Sequence, residues 1–146
     1  MRLPYAEWSV FCVPLNDGGY ARGVVARATK KGKVLLGYFF GPRLATVDAA
    51  ILTDLDPQNS VLRITFGDLG LIRREWPILG VLPNWNRSAW PMPDVVRRDP
   101  LGRLKPVLVR YSDDDPNRIE MERVIDNDIG LAPDSMYGYG AVRKSH

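Results

Sequence analysis

Residues 8–40 read "WSVFCVPLNDGGYARGVVARATKKGKVLLGYFF", and this stretch decides the fold. Trp8 to Leu15 is apolar at nearly every position, the pattern of a strand buried on both faces. "NDGGY" (Asn16 to Tyr20) then supplies a turn, because Asp-Gly and Gly-Gly accept positive φ. Tyr20 to Thr29 reads as the return strand. "KKGK" (Lys30 to Lys33) is a second turn, and Val34 to Phe40 a third strand. Two consecutive hairpins predict a three-stranded antiparallel meander.

Outward from the meander the periodicity changes. Gly41-Pro42 is expected to end the third strand. Val47, Ala50, Ile51 and Leu55 keep helical spacing, which predicts a short helix between Thr46 and Leu55, stopped by Pro57. In Val61 to Phe66, Leu62, Ile64 and Phe66 face one way, as in a half-buried strand. Val107, Val109 and Tyr111 alternate in a further strand from about Leu104. Asp115-Pro116 reads as a helix N-cap followed by proline at the first helical position, with Met121, Val124 and Ile125 as the apolar face. A last short strand is expected from Tyr137 to Arg143. The predicted fold is mostly β (α+β): a single small antiparallel sheet or partly open barrel with about two short helices, in one domain over residues 1–146.

Composition sets the outer limits. Hydrophobic residues make up 45% and charged residues 25%, ordinary for a globular chain. A domain of this length buries roughly 70% of its unfolded surface and needs no disulfide or metal to fold. Cys12 is the single cysteine, which excludes an internal disulfide and fits a reducing cytoplasm. Met1 to Val10 lacks the apolar run of a signal peptide, and no run approaches the ~20 residues of a membrane span. The net charge is +3, spread as +5 over residues 1–45, +2 over 46–110 and −4 over 111–146. The acidic final third is suited to a basic partner.

Residues 76–93 read "WPILGVLPNWNRSAWPMP", three tryptophans and four prolines together. A helix does not tolerate such proline density, and a central strand tolerates it poorly. Trp8 and Trp76 adjoin apolar runs and are expected in the core. Trp85, in "PNWNR", and Trp90, between Ala89 and Pro91, either cover a sheet edge or stand partly exposed. Exposed Trp and Arg are the types that become interface hot spots, so Trp85, Arg87 and Trp90 are candidate partner contacts. Asp113, Asp114 and Asp115 are candidates from the acidic side.

Catalytic sets are missing from the sequence. His146 is the single histidine and the last residue, so a Ser-His-Asp or Cys-His pair would rest on a chain terminus. One Cys and one His do not build the usual zinc sites. No phosphate-binding loop or dinucleotide fingerprint occurs, and no cofactor is expected. Asp113 to Asp115 lack EF-hand spacing; a turn and a helix cap account for them, beside the alternative of a hard cation or acid–base role. Asp68, between two glycines, is expected to bond nearby backbone amides in a turn, with an acid in a cleft as the alternative.

The segments "FCVPLNDGGYARGVV", "LLGYFFGPR", "FGDLGLI", "EWPILG", "NWNRSAWPMP", "RYSDDDP" and "MYGYGAV", in this order from Phe11 to Val142, resemble the immunity protein 26 family of bacterial polymorphic toxin systems. Each motif is short and chemically bland; their order and spacing carry the likeness. The resemblance implies a mostly β, non-enzymatic protein that binds and blocks the toxin domain encoded by a neighbouring gene, and it carries over no catalytic residues. Immunity proteins against nucleases are often strongly acidic, and the basic net charge lends that narrower idea no support. The alternative is a small nucleic-acid-binding β module, with Arg73, Arg74, Arg97 and Arg98 on phosphates and tryptophans stacking on bases. An enzyme would have to use Asp68 and Asp113 to Asp115.

Overall fold

The glycine turns produce the two hairpins that the sequence predicts. The structure is a computed structural model and describes residues 2–50, 52, 54–127, 130–131 and 133–134. Strand β1 (Ser9–Pro14) pairs antiparallel with β2 (Tyr20–Arg27), and β2 with β3 (Val34–Leu44). Gly18, Gly19 and Gly32 all take positive φ in the connecting turns. β4 (Leu62–Gly67) adds outside β3 and β5 (Ile78–Val81) outside β1, giving the order β4-β3-β2-β1-β5. Pro42 does not end β3. The β2–β3 register shifts between Tyr20 and Arg22, and β3 runs on past the proline to pair Leu44 with Tyr20.

Both faces of this sheet are buried, which explains why β1 to β3 show no polar alternation. One face gathers Phe11, Val13, Val25, Leu35, Phe39, Phe66, Leu71 and Trp76. The other gathers Val10, Val24, Leu36, Tyr38, Phe40, Leu55, Leu82 and Trp90. The first is closed by Trp76, which is fully buried and stacks on Phe11 at 5.9 Å and 6°. It follows α1 (Leu69–Ile72), a single helical turn where the sequence reading has only a glycine turn. The second face is closed by the Trp/Pro segment.

A second sheet orders β6 (Asp94–Arg97), β7 (Val107–Tyr111) and β8 (Ile119–Val124), again antiparallel. The chain is thus mostly β, and among the described residues it forms a five-stranded and a three-stranded sheet, neither of which closes into a barrel.

Both helices expected from the sequence are replaced. Between 46 and 55 the helix gives way to a 3-10 turn at Val47–Ala49, with another at Pro57–Asn59. Leu52 and Leu55 keep their apolar role by anchoring this loop to the second core. A helix this short has too few internal hydrogen bonds to offset its nucleation. After Asp115-Pro116 the chain forms β8, not a helix. The Asp115 carboxylate accepts from the Asn117 amide, Arg118 N–H returns to the Asp115 carbonyl, and Ser112 N–H bonds the Arg118 carbonyl. These bonds make a tight hairpin turn, with Val124 opposite Val107. Met121 is half-buried, while Ile119 and Val124 are exposed, so no helical apolar face exists. Tyr137 to Arg143 lie outside the described residues.

Candidate interaction surface

The tryptophans divide differently from the expectation. Trp90 is 3% exposed, packed on Tyr38 (5.0 Å), Phe40 (5.9 Å) and Trp85 (5.5 Å). The Tyr38 hydroxyl donates to the Pro91 carbonyl at 2.6 Å, and burial raises the Tyr38 pKa. Trp90 is therefore a core plug that holds the segment down and has almost no surface for a partner to touch. Trp85 is half-buried, lying over Trp90 with its remaining surface outside. Trp8, expected in the core, is 40% exposed.

Between Trp85 and Trp90 a 3-10 turn (Arg87–Ala89) aims Arg87 across the molecule. Its Nε donates to Glu7 Oε1 at 2.7 Å and its Nη2 to the Asp113 carbonyl oxygen at 2.6 Å. Asp114 Oδ1 lies 3.9 Å from the same nitrogen. Beneath it Arg27, 2% exposed, donates from Nε to Asp113 Oδ1 (3.2 Å), from Nη1 to the Ala26 carbonyl (2.6 Å) and from Nη2 to the Arg87 carbonyl (3.3 Å). Arg27 Nη1 is also 4.0 Å from Glu7. A buried guanidinium needs such a shell of acceptors, since an unpaired charge there is strongly unfavourable.

The structure thus brings together Arg87, Asp113 and Asp114 from two stretches 26 residues apart, while Trp85, two residues before Arg87, packs on Trp90. Glu7 and Arg27 complete the group, and the sequence reading does not find them. The available signal is a charged residue, Arg27, closing a strand that is apolar from Gly23 to Ala26. Asp115 stands apart: its carboxylate is used in the hairpin turn. Two cations and three carboxylates leave the group formally at −1. On the far side of the Trp/Pro segment an open groove of about 890 Å³ is lined by Asp54, Asp56, Leu82, Asn84, Asn86 and Trp90, among others.

Other candidates are committed elsewhere. Asp68 accepts from the Tyr5 hydroxyl at 2.6 Å and the Lys33 amide at 2.9 Å, so it ties the N-terminal segment to the second turn. Cys12 is a buried core residue, its thiol pushed up to about 11 by desolvation, against which Arg22 acts in the lowering direction. Arg97 is occupied by Glu122 and Asp134, and Arg98 Nη2 bonds the Leu131 carbonyl. Arg73 and Arg74 are exposed, while of the tryptophans between the two arginine pairs Trp76 and Trp90 are buried and Trp85 is half-buried. Among the described residues no three His, Cys, Asp or Glu side chains converge to hold a metal. Among them, too, no helix is long and apolar enough to cross a membrane.

No curated protein and no solved structure matches the chain. The sequence model of one family, described as immunity protein 26, matches residues 7–105. That span holds all five strands of the larger sheet, the Trp/Pro segment, β6, and Glu7, Arg27, Trp85 and Arg87 of the charged group. Asp113 to Asp115, and the segments "RYSDDDP" and "MYGYGAV" that also carry the resemblance, lie beyond it. The match covers about two thirds of the chain, and with the mostly antiparallel β architecture it means that the chain belongs to the immunity protein 26 family.

Proposed function

We propose that this chain protects its producer by binding a cognate toxin domain, encoded by a neighbouring gene, and covering the toxin's working surface without chemistry of its own. Membership of the immunity protein 26 family is the observation that carries this reading. The geometry supports a contact surface built from Trp85, Arg87, Asp113 and Asp114. Arg87 and the buried Arg27 pin the β7–β8 turn against the Trp/Pro segment, so these side chains stand on fixed supports. Preorganisation of this kind limits the side-chain entropy lost on association. Trp90 serves by fixing Trp85 from below, and Asp115 by shaping the turn. In this reading the two sheets act as one domain in the cytoplasm.

The test is growth of cells expressing the neighbouring toxin domain with and without this chain, together with co-purification of the two proteins. Rescue that tracks complex formation supports the reading. A toxin domain that kills equally in both cases, with no complex recovered, overturns it.

A further inference from the structure

We infer that Trp8 is a direct contact residue for the toxin domain, extending the surface beyond Glu7 and Arg87; this rests on the proposed function. Residues 6–9 form a turn closed by Ser9 N–H on the Ala6 carbonyl (3.0 Å), with Ala6 N–H on Ser9 Oγ (2.9 Å). Trp8 takes the third position with φ +74°. At that position a turn with positive φ ordinarily carries Gly or Asn, and a bulky side chain there is a genuine outlier. The backbone is held in place from both sides: Trp8 N–H donates to the Val25 carbonyl (2.7 Å) and its own carbonyl accepts from Leu82 N–H (2.9 Å).

The side chain is covered only in part by the fold. Trp76, Trp85 and Trp90 each lie against other aromatic rings and belong to, or pack on, one of the two cores. Trp8 belongs to neither cluster and is 40% exposed. Beside it in the sheet Val81, opposite Ser9 in β5, is also exposed. On backbone conformation alone glycine would suit this position best. Strain of this sort persists where the surroundings over-determine it, and it clusters at sites that bind or react.

The position fixes the chemistry of the partner. Glu7, the preceding residue, is the carboxylate that holds Arg87, so Trp8 is next in the chain to the charged group. Asp114, 88% exposed and only 3.9 Å from Arg87, is the least neutralised charge of the group. A fitting toxin surface therefore offers an apolar recess for the indole and a basic side chain for Asp114.

The experiment uses the full-length chain and the toxin domain encoded beside its gene, comparing wild type, Trp8→Gly and Trp8→Ala by calorimetric titration and by thermal melting. Glycine suits the backbone, so Trp8→Gly is expected to keep the melting temperature within a few degrees of wild type while weakening toxin binding at least tenfold, as loss of a hot-spot tryptophan does. Trp8→Ala, which keeps the strain, is expected to melt below Trp8→Gly. Unchanged affinity in Trp8→Gly overturns the inference, and so does a large fall in its melting temperature, which would make the indole a structural residue. If wild type itself does not bind, the proposed function fails, and the assignment of Trp8 fails with it.

Discussion

Arg87 Nη2 donates to the main-chain carbonyl of Asp113 at 2.6 Å, joining the Trp/Pro segment to the β7–β8 turn. The same guanidinium reaches Glu7 in the other direction through Nε. Arg suits this place because its planar fork serves two acceptors at once, which an ammonium on a flexible stem does not. Arg87→Ala is expected to keep the fold and cost about 1 kcal/mol or less, since Arg87 is substantially exposed and its ion pairs are screened. The turn over Asp113 to Asp115 should exchange its amides faster, and toxin neutralisation should weaken. Arg87→Lys should fall between Ala and wild type. Hydrogen exchange paired with growth rescue checks this; unaltered exchange in Arg87→Ala would show that the turn does not depend on the contact.

Trp85 and Trp90 touch, with centroids 5.5 Å apart, yet their replacement should have opposite consequences. Trp90→Ala empties a core site between Tyr38 and Phe40, and deletion of a buried aromatic costs roughly 3–5 kcal/mol. That is a large share of a small domain's stability. Trp85→Ala removes a half-buried ring, so the fold should survive with reduced toxin affinity. Urea denaturation of both variants, followed by binding measurements on whichever remains folded, separates the two roles. A stable Trp90→Ala variant would contradict the core assignment.

What the sequence made legible was whatever local chemistry decides. The hairpins around Gly18, Gly19 and Gly32 follow from turn residues that accept positive φ. Trp76 was readable as core from its apolar neighbours. β8 was not readable, because Asp115-Pro116 serves equally as a helix cap or as a turn, and the deciding partner, β7, is reached through the turn itself. The loop at 46–55 was misread because Leu52 and Leu55 are spaced for a helix but are recruited singly by the second core. Trp8 was misread because apolar continuity with β1 concealed the turn at residues 6–9. At the candidate surface, residue type alone pointed to Arg87 and the aspartates. Their meeting depends on Arg27 and Glu7, which lie 60 or more residues from Arg87 in sequence.

Gly70 offers a test in which helix propensity and packing predict opposite signs. It lies in α1 and in ordinary backbone geometry, where Gly→Ala commonly stabilises by about 0.5–1 kcal/mol. Here an added Cβ would sit 2.5 Å from two ring atoms of the Trp76 indole. Trp76 is fully buried and stacked on Phe11, so it has nowhere to retreat. Overpacking of this kind costs about 1–3 kcal/mol, which outweighs the gain. Gly70→Ala should lower the urea midpoint and alter the near-ultraviolet dichroism of the buried indole. A raised midpoint would show that packing at α1 is looser than the stacked geometry requires.

Cys12 predicts a pH dependence with a defined sign. Burial in β1 raises its pKa to about 11, mainly by desolvation of the thiolate. An unfolded cysteine ionises near ~8.5. A raised folded value means that the stabilisation linked to this group is fully present below the unfolded pKa. It is lost as pH rises, because the unfolded chain releases its proton first. Stability should therefore decline between about pH 8.5 and 11, and more steeply than in Cys12→Ala, once each variant is compared with its own value at neutral pH. At pH 8 an aromatic disulfide reagent should label the thiol only as fast as the chain opens, since the thiolate is the nucleophile and the native group is neutral. Rapid labelling of the folded protein, or alkaline stability loss identical in Cys12→Ala, would show that the thiol is accessible and its ionisation unlinked to folding.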